Sequence, residues 1–273
     1  MNAPLRISSA ANPLVKQLKG LHAKKGRAES GLFLAEGARL AAEAAALGVW
    51  PQVLAVSQAA LERAQVRALV LDAGRHGARI IETTETLLAQ ISKRDNPQTV
   101  IGAYRQTTAR LEALPGGQGA LIVALDGVRD PGNLGTIVRT ADSVGADAVV
   151  LLGQTCDPFS VEAVRATMGS IFSVPLARAT FEEFDAWRRG AGFDMLGASL
   201  NGSTAPDSMD VDRPVVVLMG NEQSGLSSDL EAACDTLVRL PMKGRADSLN
   251  LAIATGVLLY DIWRRRGYVG ARA

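Results

Sequence analysis

Four short, almost wholly apolar runs punctuate the second half of the chain, at residues 120–125, 148–152, 195–198 and 215–219. Runs of this kind are what a parallel sheet covered on both faces produces. Stretches with helical spacing separate them, so the pattern predicts an α/β fold. The first half is built on a smaller scale. Residues 35–47 are rich in alanine and leucine and end at Gly48, a good helix stop. Residues 52–56, 78–81 and 100–104 read as strands, and helical segments at 58–74 and 85–91 alternate with them. The pattern breaks between Leu111 and Gly119. There Pro115 fixes the backbone, and Gly116, Gly117 and Gly119 loosen it. The expected organisation is a domain over residues 1–106, a linker over 107–119 and a second domain over 120–273.

At 273 residues and 47% hydrophobic content, two modest domains can each bury a core. No run approaches the roughly 18 unbroken apolar residues of a membrane helix. The start, Met1-Asn2-Ala3-Pro4-Leu5-Arg6, lacks the apolar centre of a signal peptide, so a cytoplasmic protein with no membrane partner is expected. Cys156, Cys234, His22 and His76 show no zinc-ligand spacing, and no metal is expected. The two cysteines read as reduced, partly buried thiols rather than a disulfide scaffold. Net charge is only +1, but its distribution is uneven. Arg6, Lys16, Lys19, Lys24, Lys25 and Arg27 all precede the first acidic residue, Glu29. Such a run can track nucleic-acid phosphates, and it also fits an ordinary solvated helix face.

Three segments of the second domain carry candidate chemistry. In the first, residues 125–147, a strand gives way to a tight turn at Pro131-Gly132, and a helix starts near Asn133. Leu134, Ile137, Val138, Ala141 and Val144 follow helical spacing, and Arg139 lies off that stripe. Local chemistry alone would make Asn133 an N-cap and Arg139 a surface arginine. In the second, residues 218–227, Gly220 and Gly225 permit close backbone approach to a ligand, and Glu222 sits in the turn. Ser228-Asp229-Leu230-Glu231 then fits a capping box. In the third, residues 240–260, a helix begins at Ser248 and closes at Arg264-Arg265-Arg266-Gly267. Its body is apolar on nearly every side, so it is buried or lies in an interface, with Leu258 and Leu259 as test positions. No strand is followed by the Gly-x-Gly-x-x-Gly or Walker A pattern, which argues against a nucleotide-dependent oxidoreductase.

These segments, in this order, resemble the SpoU (TrmH-type) family of SPOUT RNA methyltransferases. The likeness rests on Asp130-Pro131-Gly132-Asn133-Leu134-Gly135 followed by Arg139, on Gly220 through Leu226, and on Leu240-Pro241-Met242 with Ser248-Leu249-Asn250. More weakly, residues 12–19 and 31–37 are similar to the family's L30e-like RNA-binding extension. The resemblance implies a small L30e-like α/β domain before a trefoil-knotted parallel-sheet domain. Physics alone would not suggest the knot, since true knots are nearly absent among folds. It also implies a homodimer with the active site near its interface, and S-adenosyl-L-methionine as cofactor. By matching position, Gly220, Leu240, Met242 and Leu249 hold the cofactor, and Ser199 and Leu200 face its adenine end. Arg139 carries the chemistry. A guanidinium with a pKa above about 12 serves better as an electrostatic stabiliser of the ribose alkoxide than as a base. Asn133 orients the arginine or the ribose, and Glu222 compensates nearby positive charge. Ser248 and Asn250 shape the methionine end and the substrate loop. The expected substrate is RNA, because only RNA has the 2′-hydroxyl. Ribosomal RNA stands ahead of transfer RNA. A non-catalytic RNA-binding protein on the same fold is the alternative, and the joint presence of Asn133, Arg139, Glu222, Ser248 and Asn250 argues against it.

Overall fold

The computed structural model describes residues 4–208 and 210–271. Residues 1–3, part of the stretch read for a leader, lie outside the described residues. The chain runs β1 (Leu5–Ile7), α1 (Pro13–Gly20), α2 (Lys24–Ser30), β2 (Leu32–Glu36), α3 (Ala38–Ala46), β3 (Val53–Ser57), α4 (Gln58–Leu61), α5 (Ala64–Arg75), β4 (Arg79–Thr83), α6 (Glu85–Ser92) and β5 (Val100–Arg105). It continues through β6 (Leu121–Asp126), α7 (Pro131–Val144), β7 (Ala148–Leu152), α8 (Val161–Thr167), β8 (Leu176–Ala179), α9 (Phe181–Gly190) and β9 (Asp194–Ala198). The last elements are β10 (Val215–Met219), α10 (Ser228–Ala233), β11 (Thr236–Val238) and α11 (Leu251–Arg265).

The chain divides into two compact units. One comprises Met1–Gln106 and Asp157–Phe172, the other Thr107–Cys156 and Ser173–Ala273. Residues 157–172, expected in the second domain, therefore pack with the first unit. Residues 107–119 are not a free linker. Ala109 bridges to Ala177, and Leu111 and Leu114 are buried in the second unit's core.

The first unit carries a mixed sheet in the order β1-β4-β3-β5-β2. β1, β4 and β3 are parallel, and β5 pairs antiparallel with β3 and β2. The helix expected from residue 35 starts later, because Leu32, Phe33, Leu34 and Ala35 are buried in β2. Gly37, at a φ of 119° that favours glycine, turns the chain from β2 into α3. The single helix expected over 58–74 is two: Ser57 caps α4 through Ala60 N, and α5 starts afresh at Ala64.

The second unit is a six-stranded sheet, β11-β9-β10-β6-β7-β8, and every pairing in it is parallel. Its strands β7 and β10 are buried along their whole length, as their apolar runs require. Three expected caps move. Asp130 caps α7 by accepting Asn133 N at 2.6 Å, so Asn133 sits in the first turn. Asn250, not Ser248, caps α11, accepting Ala252 N at 2.9 Å and Ile253 N at 3.3 Å. Ser227 caps α10, and no capping box forms, because Glu231 bonds elsewhere. Among the described residues, no helix is long and apolar enough to cross a membrane.

Candidate active site

In an all-parallel sheet the carboxyl ends of all strands share one edge, and loops leaving them converge there. The loops after β6, β9, β10 and β11 all leave that edge. The loop after β10 is folded very tightly. Asn221 and Gly225 bridge each other, and the Asn221 Oδ1 accepts Gln223 N at 2.9 Å and Ser224 N at 3.3 Å. A Cβ at Gly220 would lie 2.2 Å from the carbonyl carbon of Gly225, so only glycine fits. Asn221 Nδ2 donates to the Gly127 carbonyl at 2.7 Å, which pins this loop to the one after β6.

Beside these loops lies a cavity of about 340 Å³. Ser199, Leu200, Gly220, Leu240, Met242 and Leu249, the six candidate cofactor residues, all line it, and so does Ser248. The six come from the ends of three strands, which explains why no local pattern joins them. Glu231, Asn201 and Asp247 also line the cavity, and sequence reasoning missed them. Glu231 read as a helix cap, yet its carboxylate accepts the Ser199 hydroxyl and the Asn201 amide at 3.2 Å. Among the described residues the charged lining is therefore acidic, from Glu222, Glu231 and Asp247, with no lysine or arginine. A phosphate-bearing ligand would be repelled there, and a cationic one favoured.

A neighbouring cavity is lined by Arg129, Asp130, Asn133, Glu222 and Asn250 among others. Here the three motifs meet. Glu222 accepts the backbone amides of Arg129 at 3.1 Å and Asp130 at 3.0 Å, and the Asn133 side-chain amide at 3.4 Å. Asn133 Oδ1 in turn accepts Asn250 Nδ2 at 2.9 Å. Partial burial works to raise the Glu222 pKa. The amides of Asp130, Glu222 itself and Arg129, with the Asn133 side chain, more than offset it and hold the carboxyl below its ordinary value. With its lone pairs engaged by these donors, Glu222 is a brace between loops and a poor proton acceptor. Arg139 stands apart. It is exposed on α7 and lines neither cavity of its own chain.

The basic run of the first unit is not exposed throughout. Arg27 is 4% exposed, and it is removed from the phosphate-binding candidates. Its guanidinium donates to Asp157 at 2.6 and 2.9 Å and to the carbonyls of Leu21 at 2.8 Å and His22 at 3.0 Å. Arg6 pairs with Glu82 at 3.3 Å and Lys25 with Glu29 at 3.8 Å, both near the surface. Lys16 and Lys24 are exposed, and Lys19 reaches Gln90 Oε1 at 3.5 Å. Among the described residues no group of three or more His, Cys, Asp or Glu side chains could hold a metal ion. Cys156 and Cys234 are thiols outside any disulfide and partly buried, and burial pushes the Cys234 thiol up to about 12.

A doubly covered parallel sheet with an acidic, glycine-cradled cavity at its carboxyl edge defines a small-molecule-binding α/β protein. The chain belongs to the SpoU rRNA methylase family, whose model matches residues 120–260. Residues 12–102 match the model of an MRM3-like substrate binding domain. An AdoMet-bound rRNA methyltransferase from Sinorhizobium meliloti is 45% identical, with a TM-score of 0.88 over 95% of this chain and 97% of that one. The SpoU methyltransferase AviRb from Streptomyces viridochromogenes, in complex with AdoMet, is 28% identical with a TM-score of 0.82, over 96% and 100% of the two chains. The 23S rRNA (guanosine(2553)-2′-O)-methyltransferase RlmP of Bacillus subtilis is 28% identical over 94% of this chain and 98% of its own.

Proposed function

We infer that this chain transfers a methyl group from S-adenosylmethionine to a ribose 2′-hydroxyl of RNA, and that the RNA is ribosomal. The observation that carries the reading is the convergence of the three motifs. Glu222, Asn133 and Asn250 are joined by hydrogen bonds beside a cavity lined by all six cofactor candidates. The relatives' names agree on the reaction. When bound, S-adenosylmethionine supplies an activated methyl on a cationic sulfonium, and a cavity whose charged lining is acidic among the described residues suits that charge. Backbone groups around Gly220 and Leu240, with Leu200, Met242 and Leu249, would hold it. Glu231 and Asn201 would add polar contacts. Glu222 and Asn133 fix the loop after β6, and Asn250 fixes the start of α11, so that the acceptor ribose meets a preformed wall.

Arg139 is the group for the hydroxyl. Its exposure outside the chain's own cavities favours an active site completed by a second copy. α7 packs against α11, and Ile253, Val257 and Tyr260 on α11 are exposed apolar side chains at helical spacing. A homodimer built on this face would cover them and bring Arg139 to the partner's cavity. Leu258 and Leu259 are not on that face; both are buried within their own fold. The guanidinium would hold the ribose oxygen and an adjoining phosphate and stabilise the developing alkoxide. The proposed trefoil knot is supported by the path after β11, an edge strand, from which α11 returns to pack on β10 and α7. The first unit would supply an L30e-like RNA-binding surface that includes Arg6, Lys16, Lys19, Lys24 and Lys25. Metal-free catalysis in the cytoplasm, where ribosomal RNA is handled, completes the reading. The test is transfer of labelled methyl from S-adenosylmethionine to purified ribosomal RNA, with DNA of the same sequence as control. Labelling of RNA alone is expected, and equal labelling of DNA would refute a 2′-hydroxyl acceptor.

A further inference from the structure

The first unit holds a second cavity, of about 250 Å³, that the methyl-transfer chemistry does not use. Its wall includes Glu36, Arg39, Arg94, Gln98 and Arg165. Glu36 ends β2, and its side chain is 6% exposed. Arg165 NH2 donates to Glu36 Oε2 at 3.3 Å, while Oε1 is buried without a hydrogen-bond partner among the described residues. A buried carboxylate oxygen left unpaired is costly, and it calls for a partner from outside the fold, which a ligand with N–H donors can supply. The surroundings are rich in donors. Arg94 is exposed just after α6, and Arg39 is exposed and pairs with Glu43 at 2.9 Å. Leu40 and Met168 supply apolar lining, and Met168 is 43% exposed in the left-handed backbone region, with φ of 52°.

A phosphate would suit the three arginines but would meet the Glu36 carboxylate at close range. A ligand with N–H donors on one edge and acceptors on another suits both. Among nucleobases, guanine alone offers two adjacent N–H donors, N1 and N2, on its pairing edge, with the O6 and N7 acceptors that a guanidinium recognises. Unpaired bases in RNA are read on such edges while their faces lie against side chains. We propose that the Glu36 cavity takes one unpaired guanine of the substrate RNA, with Glu36 accepting from N1–H and N2–H and an arginine of the rim donating to O6 and N7. The proposal rests on the RNA-methyltransferase reading and adds a sequence preference to it, at a site built entirely from the first unit.

The experiment measures binding of the full-length chain to single-stranded oligoadenylates whose central nucleotide is guanosine, adenosine, cytidine or uridine, by fluorescence anisotropy. The guanosine oligomer should bind about tenfold more tightly than the others. Glu36→Gln should bring all four within about twofold of one another, with the oligoadenylate affinity unchanged. Arg94→Ala, which alters an exposed side chain, should also shrink the preference, so the test survives a Glu36 variant that folds poorly. Free guanosine should compete and free adenosine should not. Equal affinities for the four oligomers, or a guanosine preference that persists in both variants, would overturn the proposal. The same preparations are assayed for methyl transfer to ribosomal RNA. Absent base preference with transfer intact removes the cavity's role alone. Absent transfer by the wild-type chain removes the underlying reading, and the cavity's role with it.

Discussion

Asn133 and Asn250 lie 117 positions apart in the chain and end 2.9 Å apart, joined through their side chains. Arg6, Lys16, Lys19, Lys24, Lys25 and Arg27 lie in one short stretch and end in different surroundings. One is buried, two sit in surface ion pairs and the rest face solvent or a neutral side chain. The difference follows from architecture. In the second unit each motif follows a strand of a parallel sheet, and strand ends must share an edge. In the first unit the basic residues lie on one short strand and two short helices, β1, α1 and α2, so the surroundings of each are set element by element. Proximity in sequence was the weaker guide to a shared site.

Breaking the second unit's half of this contrast should have the largest effect. Arg139→Ala should lower transfer by about two to three orders of magnitude and leave cofactor affinity unchanged, as steady-state rates and calorimetric titration will show. Arg139→Lys should rescue little, because an ammonium cannot copy the planar fork. Gly220→Ala should follow, with about a hundredfold loss of turnover and weakened cofactor binding, since the new Cβ must push the Gly225 backbone away.

In the first unit, Arg27→Met should act on folding. Leaving Asp157 without its buried partner should cost about 3–5 kcal/mol in a denaturant titration. The salt dependence of RNA binding should stay as it was. Replacing Lys16, Lys19 and Lys24 by glutamine should do the reverse. Stability should hold, and the slope of log affinity against log salt should become shallower by up to about 0.9 for each lost phosphate contact. An unchanged slope would make these residues a solvated face.

The smallest effect is a pH dependence. The folded-state pKa of Glu222 lies below its ordinary value. Its hydrogen bonds therefore stabilise the fold above the ordinary glutamate value, and that contribution is lost as pH falls through the lower, folded-state value. Acid unfolding curves of the wild type should fall more steeply in that window than those of Glu222→Gln.

Much of the second unit was legible in the sequence, because fully buried parallel strands leave unbroken apolar runs such as residues 148–152 and 215–219. The edge strands β1, β8 and β11 were not, since each is three or four residues long and partly exposed. β2 was hidden because Leu32 to Ala35 look equally apolar as strand or helix, and only pairing with β5 decides. Cofactor candidates were legible as motifs. Glu231 was not, because its capping pattern at Ser228 is a coincidence that the Ser199 contact overrides. The fate of Arg27 depended on Asp157, 130 positions away, which no local pattern announces.

The central claim is that the acceptor is a ribose oxygen, and the label's position in the product tests it most directly. A methyl on the 2′-oxygen removes the nucleophile that cleaves the adjacent phosphodiester in alkali. Ribosomal RNA labelled by the full-length chain and S-adenosylmethionine should therefore, after complete alkaline hydrolysis, yield its label in alkali-stable dinucleotides. Label recovered in mononucleotides would place the methyl on a base and contradict the account.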